Sequence, residues 1–315
     1  MTELILHNKW KSLADYEWTP DNRDIIDGSV VFVHMDHIYD FFKDIARTNN
    51  RVVLISADSD YGLRRQDSEP VWKDMGRWLN FIPITDELGY NPVVIPARMD
   101  PRFCKLDDLY SIKVYSFTKA TIDNIPENIT HWFTTNCDCS IPGISHIPFG
   151  IPEWNADLIQ AKIDSGATDK NSLSRSIGTY VNFQVNTLER ASIKNYYRGV
   201  ANQNYRRHDI YVEPKEISHE EYIERMIESH YVISPPGNGL DCFRTLEAIY
   251  CGCIPVINRG LHNQPYFSLP HTMSDDFINF SECENNLKTI EGSKADFGYW
   301  REKISERRKN LLTSP

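Results

Sequence analysis

Short, unbroken apolar runs alternate with helix-compatible stretches along most of this chain. Residues 29–34 (SVVFVH), 51–56 (RVVLIS), 113–118 (KVYSFT) and 131–136 (HWFTTN) are such runs in the first half. Residues 178–183 (GTYVNF), 208–212 (HDIYV), 231–234 (YVIS) and 254–257 (IPVI) are their counterparts in the second. Continuous rather than alternating apolar character predicts strands covered on both faces. Between them, residues 37–46, 218–229, 242–251 and 296–312 read as helices. The second of these opens on Ser218 and Glu221, the S-x-x-E pattern of a capping box. Strands and helices in alternation predict an α/β fold with parallel sheets. Residues 78–81 and 92–96 read as further core of the first half, and 276–280 as a last strand. Residues 1–28 read as an irregular lead-in, 155–177 as a polar crossing, and 266–273 as a loop.

One stretch carries the chemistry. Residues 230–257 read HYVISPPGNGLDCFRTLEAIYCGCIPVI: a strand, a Pro/Gly turn, a helix that Asp241 is expected to cap, and a returning strand. A glycine-rich turn at the amino end of a helix gathers backbone N–H groups and the positive end of the helix dipole, which suits a phosphate. Gly237 and Gly239 leave room for an anion to approach the backbone. Arg244 adds a cation with a bidentate donor fork, and Glu247 can accept two hydroxyl hydrogen bonds, as a ribose would offer. The bland alternative is a surface ion pair between Arg244 and Glu247 on an ordinary strand–turn–helix.

Residues 234–257 resemble the signature of the exostosin-like glycosyltransferases (glycosyltransferase family 47), roughly S-P-x-G-x-x-x-D-x-x-R-x-x-E-A-L-x-x-G-x-I-P-V-I. The matches are Ser234, Pro235, Gly237, Asp241, Arg244, Glu247, Ala248, Gly252, Ile254 and Pro255, with Ile249 where the family has Leu. The likeness is greatest to the compact cytosolic forms of large DNA viruses and bacteria. It implies a GT-B-type architecture, two Rossmann-like domains facing across a cleft. Residues 1–155 would be the N-terminal, acceptor-side domain and 156–292 the nucleotide-sugar domain, with 293–315 a helix packing back on the first.

The resemblance also implies roles. Arg244 would meet the donor diphosphate and Glu247 the donor ribose, within a donor-binding stretch that includes Asn238, Gly239 and Thr245. A second run, N-F-x-x-N-T-x-x-x-R, is matched by Asn182, Phe183, Asn186, Thr187 and Arg190, which makes Arg190 a second cation for the diphosphate. In the first half, Ser59, Asp60 and Tyr61 match the end of the family's T-H-N-S-D-Y, so Asp60 is the expected general base. Ala57 and Asp58 replace the family's His-Asn, which leaves Asp58 as the other choice. Asn136, Pro148, Gly150 and Ile151 fit a W-F-x-x-N…P-x-G-I pattern. His34, Tyr61 and Asn136 are expected on the acceptor side, and His34 with His37 could instead be plain loop structure. The implied reaction is inverting transfer of a sugar from a UDP-sugar to a hydroxyl of a glycan acceptor, with no cofactor or metal.

Composition narrows the alternatives. A chain of 315 residues suits two domains, and 41% hydrophobic residues supply their cores. A net charge of −10 without a basic stripe argues against nucleic acid as the main partner. No apolar run has the length of a membrane span, and the first residues lack a signal-peptide pattern, so a cytoplasmic setting is expected. Seven cysteines, an odd number, fit reduced thiols; C-x-C at 137–139 and 251–253 is not the C-x-x-C zinc spacing. Three rivals remain: a metal-dependent transferase using Asp58 and Asp60 as a D-x-D site, a non-catalytic binder of nucleotide sugars or glycans, and an epimerase or hydrolase of nucleotide sugars. A nicotinamide dehydrogenase is disfavoured, because GNGLDCF lacks the third glycine of G-x-G-x-x-G.

Overall fold

A computed structural model describes residues 2–57, 62–65, 91–94, 113–117, 125–138, 140–169, 175–185, 188–202, 209–237, 239–281 and 290–313. In the first half the strands are β1 (Tyr16–Trp18), β2 (Val30–Val33), β3 (Val52–Ser56), β4 (Gly62–Arg65), β5 (Asn91–Val94), β6 (Lys113–Phe117), β7 (Ile129–Thr134), β8 (Cys137–Asp138) and β9 (Ile144–His146). The second half contributes β10 (Ile177–Val181), β11 (Ile210–Val212), β12 (Ser229–Ile233), β13 (Ile254–Ile257) and β14 (Thr272–Met273). The helices are α1 (Ile38–Ile45), α2 (Glu153–Asp164), α3 (Leu188–Asn202), α4 (His219–Ile227), α5 (Phe243–Tyr250) and α6 (Phe297–Thr313).

Two five-stranded sheets carry the fold. One runs β1-β2-β3-β7-β9 and the other β11-β10-β12-β13-β14, and every pairing in both is parallel. A smaller sheet, β5-β6-β4-β8, has an antiparallel edge at β5. The result is mixed α/β with two parallel sheets, compatible with two Rossmann-like units. The apolar runs explain it: every residue of β2 and β3 is buried, as a strand covered on both faces requires. In α1, Ile38, Phe41, Phe42 and Ile45 fall on one buried stripe at helical spacing. Ser218 caps α4, Glu221 N donating to Ser218 Oγ at 3.1 Å, the serine half of the expected capping box. Among the described residues no helix is long and apolar enough to cross a membrane.

Three expectations are corrected. Residues 1–28 are not a loose lead-in: Ile5, Trp10 and Trp18 are fully buried, and β1 pairs with β2. His7 N donates to Ile151 O and Ile151 N to Ile5 O, so the segment is held by a chain turn far away in sequence. Gly150 permits that approach, since its φ is +99° and a Cβ there would sit 2.6 Å from His7 N. The polar stretch after residue 152 is the helix α2; it buries only Asn155 and Ile159, too little to leave an amphipathic pattern. Residues 276–280 form no strand. The Asp276 carboxylate accepts from Ile278 N, Asn279 N and Ser274 Oγ, winding the chain into a turn instead.

A single apolar cluster joins the two sheets, with Ile5, Trp10, Phe32 and Ile55 on one side and Tyr180, Val232, Leu246 and Tyr250 on the other. Phe297, Trp300 and Ile304 of α6 complete it, and α6 packs along β3. The Tyr250 hydroxyl pins three segments together: it accepts from Ile5 N at 2.9 Å and donates to Ala295 O at 2.7 Å. Tyr250→Phe leaves both backbone groups buried and unpaired. It is expected to cost about 2 kcal/mol, read as a lower denaturant midpoint at unchanged slope. An unchanged midpoint would show that the hydroxyl is not structural.

Candidate functional site

The site grows from the carboxyl end of β12, where the chain leaves the sheet between β10 and β13 and returns as α5. Ser234 N still bonds to Val256 O, so the loop starts from a fixed strand end. The Ser234 hydroxyl then meets Thr245 Oγ1 at 2.9 Å and Cys242 Sγ at 3.2 Å, which ties the loop to the helix it feeds. Arg190 of α3 reaches across to donate from Nε to Pro236 O (2.8 Å) and from Nη2 to Pro235 O (3.1 Å). Gly237 serves that contact: a Cβ there would lie 2.7 Å from Arg190 Nη2. Its glycine makes room for a guanidinium of the protein.

Asp241 does not cap the helix. Cys242 takes the N-cap position, and the buried Asp241 carboxylate looks outward from the helix. It accepts from Phe149 N (2.9 Å), Tyr266 Oη (2.6 Å) and Cys242 N (2.7 Å). Burial pushes its carboxyl upward, and these hydrogen bonds oppose the shift. Asp241 N in turn donates to Asn136 Oδ1 at 2.6 Å. Asn136, expected on the acceptor side, is therefore a buried brace between the segment after β7 and the loop before α5. It sits in left-handed backbone at φ 53°, a conformation Asn tolerates.

Arg244 is the unusual group. Its Nε and Nη1 atoms are buried without a hydrogen-bond partner, and no carboxylate stands within ion-pair distance among the described residues. Its guanidinium lies 5.6 Å from the centre of the Phe183 ring, which Arg190 also faces at 5.7 Å and Lys194 at 5.8 Å. The crowding registers on the neighbours. Arg190 is brought down to about 10 by burial and then by Arg244, and Lys194 is lowered by burial and nearby arginines. Arg244 itself stays charged: burial opposes its charge, but Tyr222, Cys242 and Glu247 outweigh it. Three cationic side chains are thus gathered around one ring in an acidic chain. Covered N–H donors left without an acceptor are costly, and Arg244 Nε and Nη1 are two such donors.

Glu247, one turn along α5, is 3% exposed, which rules out a surface ion pair with Arg244. Its Oε1 accepts from Asn155 Nδ2 at 2.6 Å and its Oε2 from Tyr222 Oη at 2.8 Å. Each oxygen keeps a second lone pair in principle, so a bound hydroxyl would join an existing network rather than find an idle carboxylate. Burial raises the Glu247 carboxyl, against Asn155 and Tyr222. Beside it, Tyr180 Oη donates to Glu213 Oε2 (3.3 Å) and accepts from Asn182 Nδ2 (2.9 Å), so Asn182 reaches the site through Tyr180.

Asp58, Asp60, Tyr61, Asn186 and Asn238 lie outside the described residues. His34 ends β2 on the other sheet, with Asp36 (3.4 Å) and His37 as its neighbours. Asn155 and Tyr222 are missing from the motif reading because no spacing announces them; Asn155 meets Glu247 across 92 positions. Glu189 is also new. Neither of its carboxylate oxygens, both covered, has a hydrogen-bond partner among the described residues. Burial raises its carboxyl to about 8, against the pull of Arg190. Among the described residues no group of His, Cys, Asp or Glu is placed to hold a metal ion. No family model matches this chain, and no curated protein matches it significantly.

Two outcomes follow from these charges. Arg244→Met keeps the volume and removes the two unfilled donors. The ligand-free variant is expected to be as stable as the parent or about 2 kcal/mol more stable, and pyrophosphate is expected to raise the melting temperature of the parent but not of the variant. A marked loss of stability would show the guanidinium already compensated. For Glu189 the folded carboxyl titrates above its unfolded value of 4.5, at about 8. The stability it contributes is fully present below about pH 4.5 and declines as pH rises to about 8. Glu189→Gln should therefore gain on the parent across that interval and level off above it, and parallel melting curves across that range would contradict the buried acid.

Proposed function

We propose that the protein is a glycosyltransferase of the exostosin-like kind, with a GT-B arrangement, that takes a sugar from a nucleotide sugar, a UDP-sugar being the expected donor. The observation that carries the reading is the half-buried Arg244 guanidinium at the start of α5, whose covered Nε and Nη1 donors are unfilled. A diphosphate supplies the charge and the acceptor oxygens that this cation lacks. Glu247, one turn further on, is placed for the ribose. The motif resemblance assigns the same two residues the same two tasks.

In the proposed reaction the acceptor hydroxyl attacks the anomeric carbon, its proton passing to Asp60 or Asp58 as the bond to the diphosphate breaks. Negative charge grows on the departing phosphate oxygens, where Arg244 and the amino end of α5 stabilise it. Arg190 acts behind the loop, holding Pro235 and Pro236 by their carbonyls so that α5 presents its end in one position. A single displacement inverts the anomeric centre. Fixed cations take the part that a divalent ion plays in D-x-D transferases, so the reaction is proposed to need no metal.

The test is consumption of a panel of nucleotide sugars with and without glycan acceptors, in EDTA and in added Mn²⁺. Acceptor-dependent release of nucleoside diphosphate, unchanged by EDTA and reduced about 100-fold by Arg244→Ala, is expected. Activity abolished by EDTA would favour the D-x-D rival at Asp58 and Asp60. Release independent of acceptor would indicate a hydrolase, and binding without turnover a carbohydrate- or nucleotide-binding protein.

A further inference from the structure

We infer that Trp154 is the platform on which the base of the bound nucleotide stacks; this rests on the reading of Arg244 as the diphosphate site. Trp154 is 57% exposed, whereas Trp10, Trp18, Trp132 and Trp300 are all at or below 4%. An indole left that open offers a ring face to a ligand, and its position decides which. It stands in the first turn of α2, immediately before Asn155, the residue that donates to Glu247. Its ring is edge-on to Phe243 at 6.3 Å and 89°, and 6.2 Å from the ring of His219. Phe243 is the residue before Arg244, and it is itself fixed by stacking on Phe149 at 4.9 Å and by an edge contact with His7 at 5.2 Å.

Trp154 thus meets Phe243, the residue before Arg244, while its neighbour Asn155 bonds to Glu247 one turn along α5. A nucleoside diphosphate brings a phosphate, a ribose and a base to such a group of side chains. The platform is preorganised: α2 packs on both α4 and α5, and Lys162 pairs with Glu224 at 3.2 Å across the first of these contacts. Stacking on an aromatic face is available to every base, so Trp154 supplies affinity for a base as such. His219 is the adjoining side chain with ring nitrogens that can hydrogen-bond to a base edge.

Isothermal titration of the full chain with UDP, GDP, ADP and inorganic pyrophosphate tests this, using the parent, Trp154→Ala and Trp154→Phe. Trp154→Ala is expected to weaken the best-bound nucleoside diphosphate by at least about fivefold while pyrophosphate changes by less than about twofold, with Trp154→Phe in between. Because the indole is exposed, the melting temperatures of both variants should match the parent. Equal losses on nucleotide and pyrophosphate, or no loss on either, would overturn the assignment while leaving the diphosphate site intact. A parent that binds pyrophosphate but no nucleoside diphosphate would overturn it too. A parent that binds neither would remove the diphosphate reading, and this inference with it.

Discussion

A half-buried guanidinium at the start of α5, with two covered N–H donors that no described residue fills, is the feature around which this site is arranged. Arg244 could be relieved by solvent or by a carboxylate, and it has neither at Nε and Nη1 among the described residues. Phe183 offers its ring face to Arg244, Arg190 and Lys194 together, which softens their repulsion without neutralising it. Glu247 is close enough to act on Arg244 electrostatically, yet it spends its hydrogen bonds on Asn155 and Tyr222. Nε and Nη1 are thus left with donor capacity that no described residue fills, and the proposed diphosphate would fill it with acceptor oxygens.

Such a site needs a stiff frame, and Asp241 supplies it. Its carboxylate gathers Phe149 N, Tyr266 Oη and Cys242 N, while its own N–H goes to Asn136. Asn136 and Phe149 follow strands of the first sheet, and Cys242 and Tyr266 belong to the second. The amino end of α5 is therefore located by both sheets at once. Leu261 N on Asp138 Oδ1 at 2.8 Å and His146 Nδ1 with Leu261 O at 2.8 Å add a second tie between the same two regions. The loop before α5 is thus tied to segments that follow strands of both sheets.

The strands and most helices are legible in the sequence because their burial is continuous or periodic: 29–34, 51–56 and 254–257 are apolar throughout, and α1 and α4 carry their stripe or cap. The parts that resist such reading depend on partners far away. Trp10 and Ile5 are core only because residues 147–151 and α6 cover them, and α2 is a helix whose one informative residue, Asn155, faces a carboxylate in α5. At the site, Arg244 and Glu247 are visible by type and spacing. The tasks of Asp241, Gly237 and Asn136 are not, since each is set by a contact from another element: Phe149 N, the Arg190 guanidinium and Asp241 N. Glu189 gives no signal at all, because an acid beside an arginine in a helix ordinarily reads as solvent-exposed.

The most direct measurement is a crystal structure of the protein with a nucleoside diphosphate bound. Phosphate oxygens at about 3 Å from Arg244 Nε and Nη1, beside the first turn of α5, are the predicted result. A nucleotide seated elsewhere, or an Arg244 still without an acceptor when the nucleotide is in place, would contradict it.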